Sequence, residues 1–123
     1  MDSIAVRYQL LTLIAQHTII TGVIKGFADK ETERLWKGQK QKAVPQQLRE
    51  RAVAKLLSVD IANNVEELET PPGNRLHKLG GDRDGQWSIS INKLYRVCFF
   101  FEGGDAHEVE VTEGDRLSLS ERR

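Results

Sequence analysis

His77 and Arg96 are the side chains of this sequence best suited to chemistry on an anion. An imidazole exchanges protons near neutral pH, and a guanidinium fork matches the geometry of a carboxylate or a phosphate. Around them, Ser88, Ser90, Asn92 and Arg96 fall on the polar side of two alternating stretches, next to a turn carrying Arg83, with His77 just upstream. That spacing fits a cationic hollow with a histidine at its rim, although a lone histidine or arginine at a sheet edge is more often simply solvated. Both readings stay open on spacing alone.

Other chemistries find less support. Cys98 is the sole cysteine, so no disulfide forms within the chain, and together with His17, His77 and His107 it has no zinc-ligand spacing. Asp82, Asp84 and Gly85 resemble the opening of a calcium loop, yet the later ligands and closing glutamate are absent. Gly80 and Gly81 lack both phosphate-loop spacings and read as turn formers. The expectation is a site with no metal and no cofactor.

Something must position these residues, and 123 residues is the size of one domain. With 39% hydrophobic and 29% charged residues, the chain is neither a membrane protein nor a disordered one. The zero net charge conceals a mildly basic centre, with 14 basic against 10 acidic residues over 23–101, and an acidic end, with 3 against 7 over 102–123. A nucleic-acid binder usually carries a stronger excess, so composition alone leaves RNA or DNA a minority reading. Arg7, Gln9, Gln16 and His17 interrupt the apolar start too early for a membrane span, and no export signal is evident, so a cytoplasmic location is expected.

Residues 23–27 (VIKGF) read as a short first strand. Asp29 offers an N-cap, with Glu31 and Glu33 near the positive end of a short helix that closes near Gly38. Pro45 then opens a longer helix over 45–58, with Leu48, Ala52, Val53, Leu56 and Leu57 on one face and Arg49, Arg51 and Lys55 on a solvated one. From Arg75 the period falls from 3.6 to 2. Trp87, Ile89 and Ile91 alternate with Ser88, Ser90 and Asn92, and Tyr95, Val97, Phe99 and Phe101 follow in the same manner. Glycine-rich turns separate the stretches, and a last strand runs over 106–111. The predicted class is α+β, with two helices covering one face of a mostly antiparallel sheet of about four to five strands.

The segment from Pro71-Pro72-Gly73-Asn74-Arg75-Leu76 through Gly81-Asp82-Arg83-x-Gly85-Gln86-Trp87-Ser88-Ile89 and Tyr95-Arg96-Val97-Cys98-Phe99 to Gly104-Asp105-Ala106 and Val109-Glu110-Val111 resembles the HigB-type toxins of the RelE/ParE superfamily. The resemblance covers about residues 23–115. It implies a RelE-like fold, a helix-turn-helix antitoxin (HigA-like) as partner in a hetero-oligomer, and metal-free cleavage of mRNA on the ribosome. In that reaction the ribose 2′-hydroxyl attacks the adjacent phosphate, which requires a base, cations for the phosphorane and an acid for the leaving oxygen. Residue by residue, the resemblance makes Arg96 the phosphorane stabiliser, His77 a proton-transfer group, and Glu113 the acidic residue of the C-terminal motif. Lys78, Arg83, Ser90 and Asn92 are implied to contact RNA, Asn92 alternatively shaping its turn.

The departures matter as much. The family's lysine before its Gly-Asp pair is Gly80 here, the arginine between two isoleucines is Ser90, and the tyrosine and histidine closing the motif are Gly114 and Asp115. A weakened nuclease is therefore expected. Two alternatives are a catalytically degenerate protein that only binds its antitoxin, and a gyrase-directed toxin of the same superfamily. Residues 1–22 precede the matched region, either as a leader ahead of a start at Val23 or as an extra helix, and residues 116–123 form a polar tail.

Overall fold

A computed structural model describes residues 22–114. The extension read over 1–22, Gly22 excepted, lies outside the described residues, as do Asp115 and the tail over 116–123. Two helices, α1 (Lys30–Trp36) and α2 (Arg49–Asp60), precede an antiparallel meander of four strands, β1 (His77–Lys78), β2 (Trp87–Ser90), β3 (Tyr95–Glu102) and β4 (Asp105–Glu113), which neighbour one another in chain order. The α+β expectation holds.

Local chemistry sets each boundary. Asp29 caps α1, its carboxylate accepting from the Thr32 amide at 2.7 Å, and Gly38 follows the last turn at φ 76°, a conformation glycine adopts without strain. The second helix starts later than Pro45 predicts, because Gln46–Leu48 wind as a 3₁₀ turn before α2 runs on to Asp60. Residues 23–27 are extended but make only two isolated parallel bridges to β4, Ile24 to Ala106 and Phe27 to Val109, so the predicted first strand is a short edging rather than a full strand. At the β3–β4 hairpin Gly103 and Gly104 have φ of 59° and 83°, as a two-residue turn of the primed type requires.

The core lies between the helices and one sheet face. Leu35, Val53, Leu56 and Val59 pack with Ile89, Val97, Phe99, Val109 and Val111. Thr32 of α1 ties the two layers, its hydroxyl accepting from the Val111 amide at 3.0 Å in the interior. With residues 23–27 alongside, this bond occupies the outer edge of β4, which would otherwise offer unpaired amides. In β4, Glu108 and Val109 together oppose Phe99, and Glu108 takes φ 50° at this bulge. One expectation fails: Ser88 and Ser90, expected to line an open polar surface, are 0% and 8% exposed. Alternation reports which face a residue occupies and not whether that face is covered, and here Arg96 lies against Ser88.

Candidate active site

The loop ahead of β1 is pinned from below. Asn74 is fully buried; its amide nitrogen donates to the carbonyls of Leu68 at 3.1 Å and Thr70 at 3.3 Å, and its oxygen accepts from the Lys55 ammonium of α2. Burial, and secondarily the nearby Arg51 charge, lowers the Lys55 pKa below its ordinary value. The Thr70–Pro71 peptide is cis, and Pro72–Asn74 form one 3₁₀ turn. The chain leaves this turn through Arg75 at φ 50°, ψ 50°, its amide bonded to the Pro72 carbonyl at 3.0 Å. An arginine in the left-handed region is strained, and such strain tends to sit where it serves a site.

That left-handed residue aims its carbonyl at the candidate site. Arg96 Nη2 donates to the Arg75 oxygen at 3.0 Å, His77 Nδ1 lies 3.1 Å from the same oxygen, and Arg96 Nε donates to Ser88 Oγ. Arg96 Nη2 and His77 Nδ1 are 3.3 Å apart. The register explains the meeting. His77 stands opposite Ser88, and Arg96 opposite Ser90 on one side and Thr112 on the other, so all five share the face away from the core. The arrangement is a guanidinium fixed at two nitrogens beside an imidazole: a preorganised cation next to a proton carrier, suited to charge developing on a phosphate. Gly114 lies at its rim, where a side chain would begin 3.7 Å from Arg96 Cδ.

The remaining residues singled out from the sequence make other contacts. Arg83 is bound to Glu110, at 3.0 Å and 3.4 Å through its two terminal nitrogens, and to Gln86 Oε1 at 3.0 Å. Burial works against its charge, but the bond to Glu110 and the Glu110 carboxylate prevail and hold its pKa above the ordinary value. Lys78 points to the face opposite His77, its ammonium 5.6 Å from the centre of the Trp87 ring. Ser90 donates to the Asn92 carbonyl at 2.8 Å, and the Asn92 side chain accepts from the amides of Leu94 and Tyr95 at 2.9 Å and 2.7 Å, closing the β2–β3 turn. Glu113 stands opposite Tyr95, on the face away from Arg96.

Of the sequence candidates, the fold thus brings His77 and Arg96 together, with Ser90 the register partner of Arg96 and the Arg83–Glu110 pair further along the same face beside Cys98, while Asn92 closes a turn and Lys78 and Glu113 occupy the opposite face. The resemblance implies a site role for Glu113, whereas Val109, Val111 and Glu113 alternate and so share the core-facing side, away from Arg96. The Arg75 carbonyl could not be read from side chains at all. Among the described residues no group of three or more His, Cys, Asp or Glu could hold a metal ion, and no helix is long and apolar enough to cross a membrane. Cys98, buried beside the Arg83–Glu110 pair, has its thiol pushed up to about 11 by burial, which makes it a poor nucleophile.

Comparison with known proteins shows the family of the chain. A family model described as "RelE-like toxin of type II toxin-antitoxin system HigB" matches residues 25–113. The chain is 35% identical over 85 residues to the Endoribonuclease HigB of Proteus vulgaris, spanning 69% of this chain and 91% of that protein. It is also 35% identical over 81 residues to Toxin HigB-1 of Vibrio cholerae, spanning 65% of this chain and 85% of the relative.

Proposed function

Because this chain belongs to the HigB-like family of RelE-like toxins and is thereby the toxin of a type II toxin–antitoxin system, we propose that it cuts mRNA on the ribosome with Arg96 and His77 as its chemical groups. The carrying observation is the Arg96 guanidinium held at Ser88 and Arg75 beside the His77 ring. A ribose 2′-hydroxyl gives its proton to His77 and attacks the neighbouring phosphate; the phosphorane then collapses to a 2′,3′-cyclic phosphate as the P–O5′ bond breaks, the departing 5′ oxygen taking a proton from water and His77 returning its own to solvent. The phosphorane carries an extra negative charge, which Arg96 meets without reorganising, and DNA, lacking the hydroxyl, is not cut. Glu113, on the other face, takes no part in this step. The reaction as written asks for no cofactor.

The site is weaker than the family pattern. Gly80, Ser90 and Gly114 replace a lysine, an arginine and a tyrosine, and Arg83 is occupied by Glu110. Losing one preorganised donor typically costs about a hundredfold or more in rate, so slow cleavage is expected. The same losses favour a second reading, in which the chain binds its antitoxin and cuts nothing. A helix-turn-helix antitoxin is the proposed partner, and the cytoplasm, where translating ribosomes are, the proposed location.

Primer extension on an mRNA in a reconstituted translation reaction, with the full chain and an Arg96→Ala control, tests the proposal. Cuts that need ribosomes and vanish in the control support it. Intact mRNA together with tight antitoxin binding supports the second reading.

A further inference from the structure

The cover over the outer edge of β4 stops at the Val111 amide, and one step of that edge is left open. Along a strand, residues alternate the side to which their N–H and C=O point. Val109 turns outward, donating to the Gly26 carbonyl at 3.1 Å and accepting from the Ala28 amide at 2.9 Å, and the Val111 amide turns outward to Thr32. Thr112 pairs with Arg96 of β3, and the Gly114 amide donates to the Leu94 carbonyl on that same inner side. The Val111 carbonyl and the Glu113 amide therefore point outward together, and among the described residues neither has a hydrogen-bond partner.

We infer that this open step is where the chain receives its antitoxin, as an extended segment that continues the line of residues 23–28 and brings a lysine or arginine to Glu113. The inference rests on the antitoxin as partner and not on the nuclease reading.

Backbone geometry suits such a strand. An extended residue aligned with Thr112 and running parallel to β4, the direction that residues 23–28 already take, donates to the Val111 carbonyl and accepts from the Glu113 amide. The residue after it then stands beside Glu113, on the face that Glu113 shares with Tyr95.

Charge selects the occupant. The open step gives onto a recess of about 280 Å³ whose lining carries four acids, Asp29, Glu31, Glu110 and Glu113, against one base, Lys42. Three of the acids are already engaged: Asp29 accepts from the Thr32 amide, Glu31 from the Lys42 amide and from Arg34, and Glu110 from Arg83. Glu113 makes no ion pair among the described residues. Tyr95, opposite it and also lining the recess, offers a ring for the apolar stem of a long cationic side chain. A second copy of this chain would bring the same acids to the edge, and like charges placed opposite repel.

Amide exchange on the ¹⁵N-labelled full chain, alone and bound to its antitoxin, tests the inference together with the Kd of edge variants. The Glu113 amide should exchange fast in the free chain and be protected in the complex. Glu113→Pro removes a donor that points out of the sheet, where proline is tolerated, and should weaken antitoxin binding about tenfold, the loss expected for one hydrogen bond. Glu113→Lys should weaken it at least as much, whereas Glu102→Lys, the same charge change on an exposed residue of the β3–β4 hairpin, should stay within about twofold. A tight complex in which the Glu113 amide exchanges as in the free chain, or binding indifferent to Glu113→Lys, overturns the inference and leaves the pairing with an antitoxin standing. An antitoxin that does not bind at all overturns both. Protection that appears without antitoxin as the chain is concentrated assigns the edge to a second copy and also overturns the inference. If Glu113→Pro does not fold, the exchange of the wild-type chain and Glu113→Lys still decide. Cleavage enters none of these readings, so a chain that cuts no mRNA refutes the nuclease reading and leaves this inference intact.

Discussion

Arg83 and Glu110, 27 residues apart in sequence, form an ion pair at 3.0 Å beside Cys98, with their side chains 18% and 24% exposed. The pair joins the turn after β1 to the middle of β4, and it removes from solution a cation that the sequence offered for RNA. Glu110→Ala leaves Arg83 half-buried without its acid. Breaking a fully buried pair costs roughly 3–5 kcal/mol and an exposed one under about 1 kcal/mol, so about 2 kcal/mol is expected from urea unfolding. Cys98 should also become easier to alkylate, since Leu79, which packs on it, is bonded to Gln86 across the same turn. An unchanged midpoint would mean the pair is as weak as a surface bridge.

Asn74 permits a sharper test, because its amide and its oxygen face different partners. Asn74→Ala strands two carbonyls and the Lys55 ammonium, and about 2–3 kcal/mol of stability should be lost. Asn74→Asp keeps an acceptor for Lys55 but turns the donating end into an oxygen facing the Leu68 and Thr70 carbonyls. It should be at least as destabilising as alanine at neutral pH. A stable Asn74→Asp would show that Lys55, and not the carbonyl clamp, holds the loop.

These relationships mark how far the sequence could be read. The period-two stretch at Trp87–Ile91, the Asp29 cap and the Gly103–Gly104 turn are local signals, and the structure follows them. Burial of Ser88 depends on Arg96 from another strand, and the placement of Arg75 depends on Asn74, Leu68 and Lys55 together, so neither has a local signature. Glu113 is a different case. Its alternation with Val111 puts it on the core-facing side, against the role that the family pattern implies.

Glu108 sits at φ 50° in the β4 bulge, a position where glycine is at ease. It is exposed. Relief of the left-handed strain should exceed the added chain entropy, so Glu108→Gly is expected to gain about 0.5–1 kcal/mol in thermal or urea unfolding. A loss of stability would mean that the glutamate side chain, not the bulge backbone, matters here.

Asp60 ends α2 half-buried, its carboxylate accepting from the Ile24 amide at 3.0 Å. Burial raises its pKa, against the opposing pull of that amide and of Lys25. A carboxyl with a raised native pKa binds protons more tightly when folded, so its charge disfavours folding fully above that native value and not at all below the unfolded value near 3.9. Asp60→Asn keeps an acceptor for Ile24 and removes the charge. It should unfold at higher temperature than wild type at pH 7, with the gap closing as pH falls into the carboxylate range. A gap that persists at acid pH would assign the effect to packing.

Gly80 allows the expected weakness of the site to be repaired. Its φ of −120° is ordinary for any residue, and a Cβ there would meet nothing within 4 Å, so Gly80→Lys should fold as well as wild type. Ser90 does not offer the same freedom, being 8% exposed and bonded to the Asn92 carbonyl, so an arginine there would have to break the turn. If the missing lysine is one reason for slow cleavage, Gly80→Lys raises the rate on ribosome-bound mRNA about tenfold or more, while Ser90→Arg loses stability first. Arg96→Lys should lower the rate about a hundredfold even though charge is kept, because an ammonium cannot bridge Ser88 and Arg75 as the fork does. A Gly80→Lys chain that folds well and still leaves mRNA intact, while binding an antitoxin, would move the assignment to the non-cutting reading.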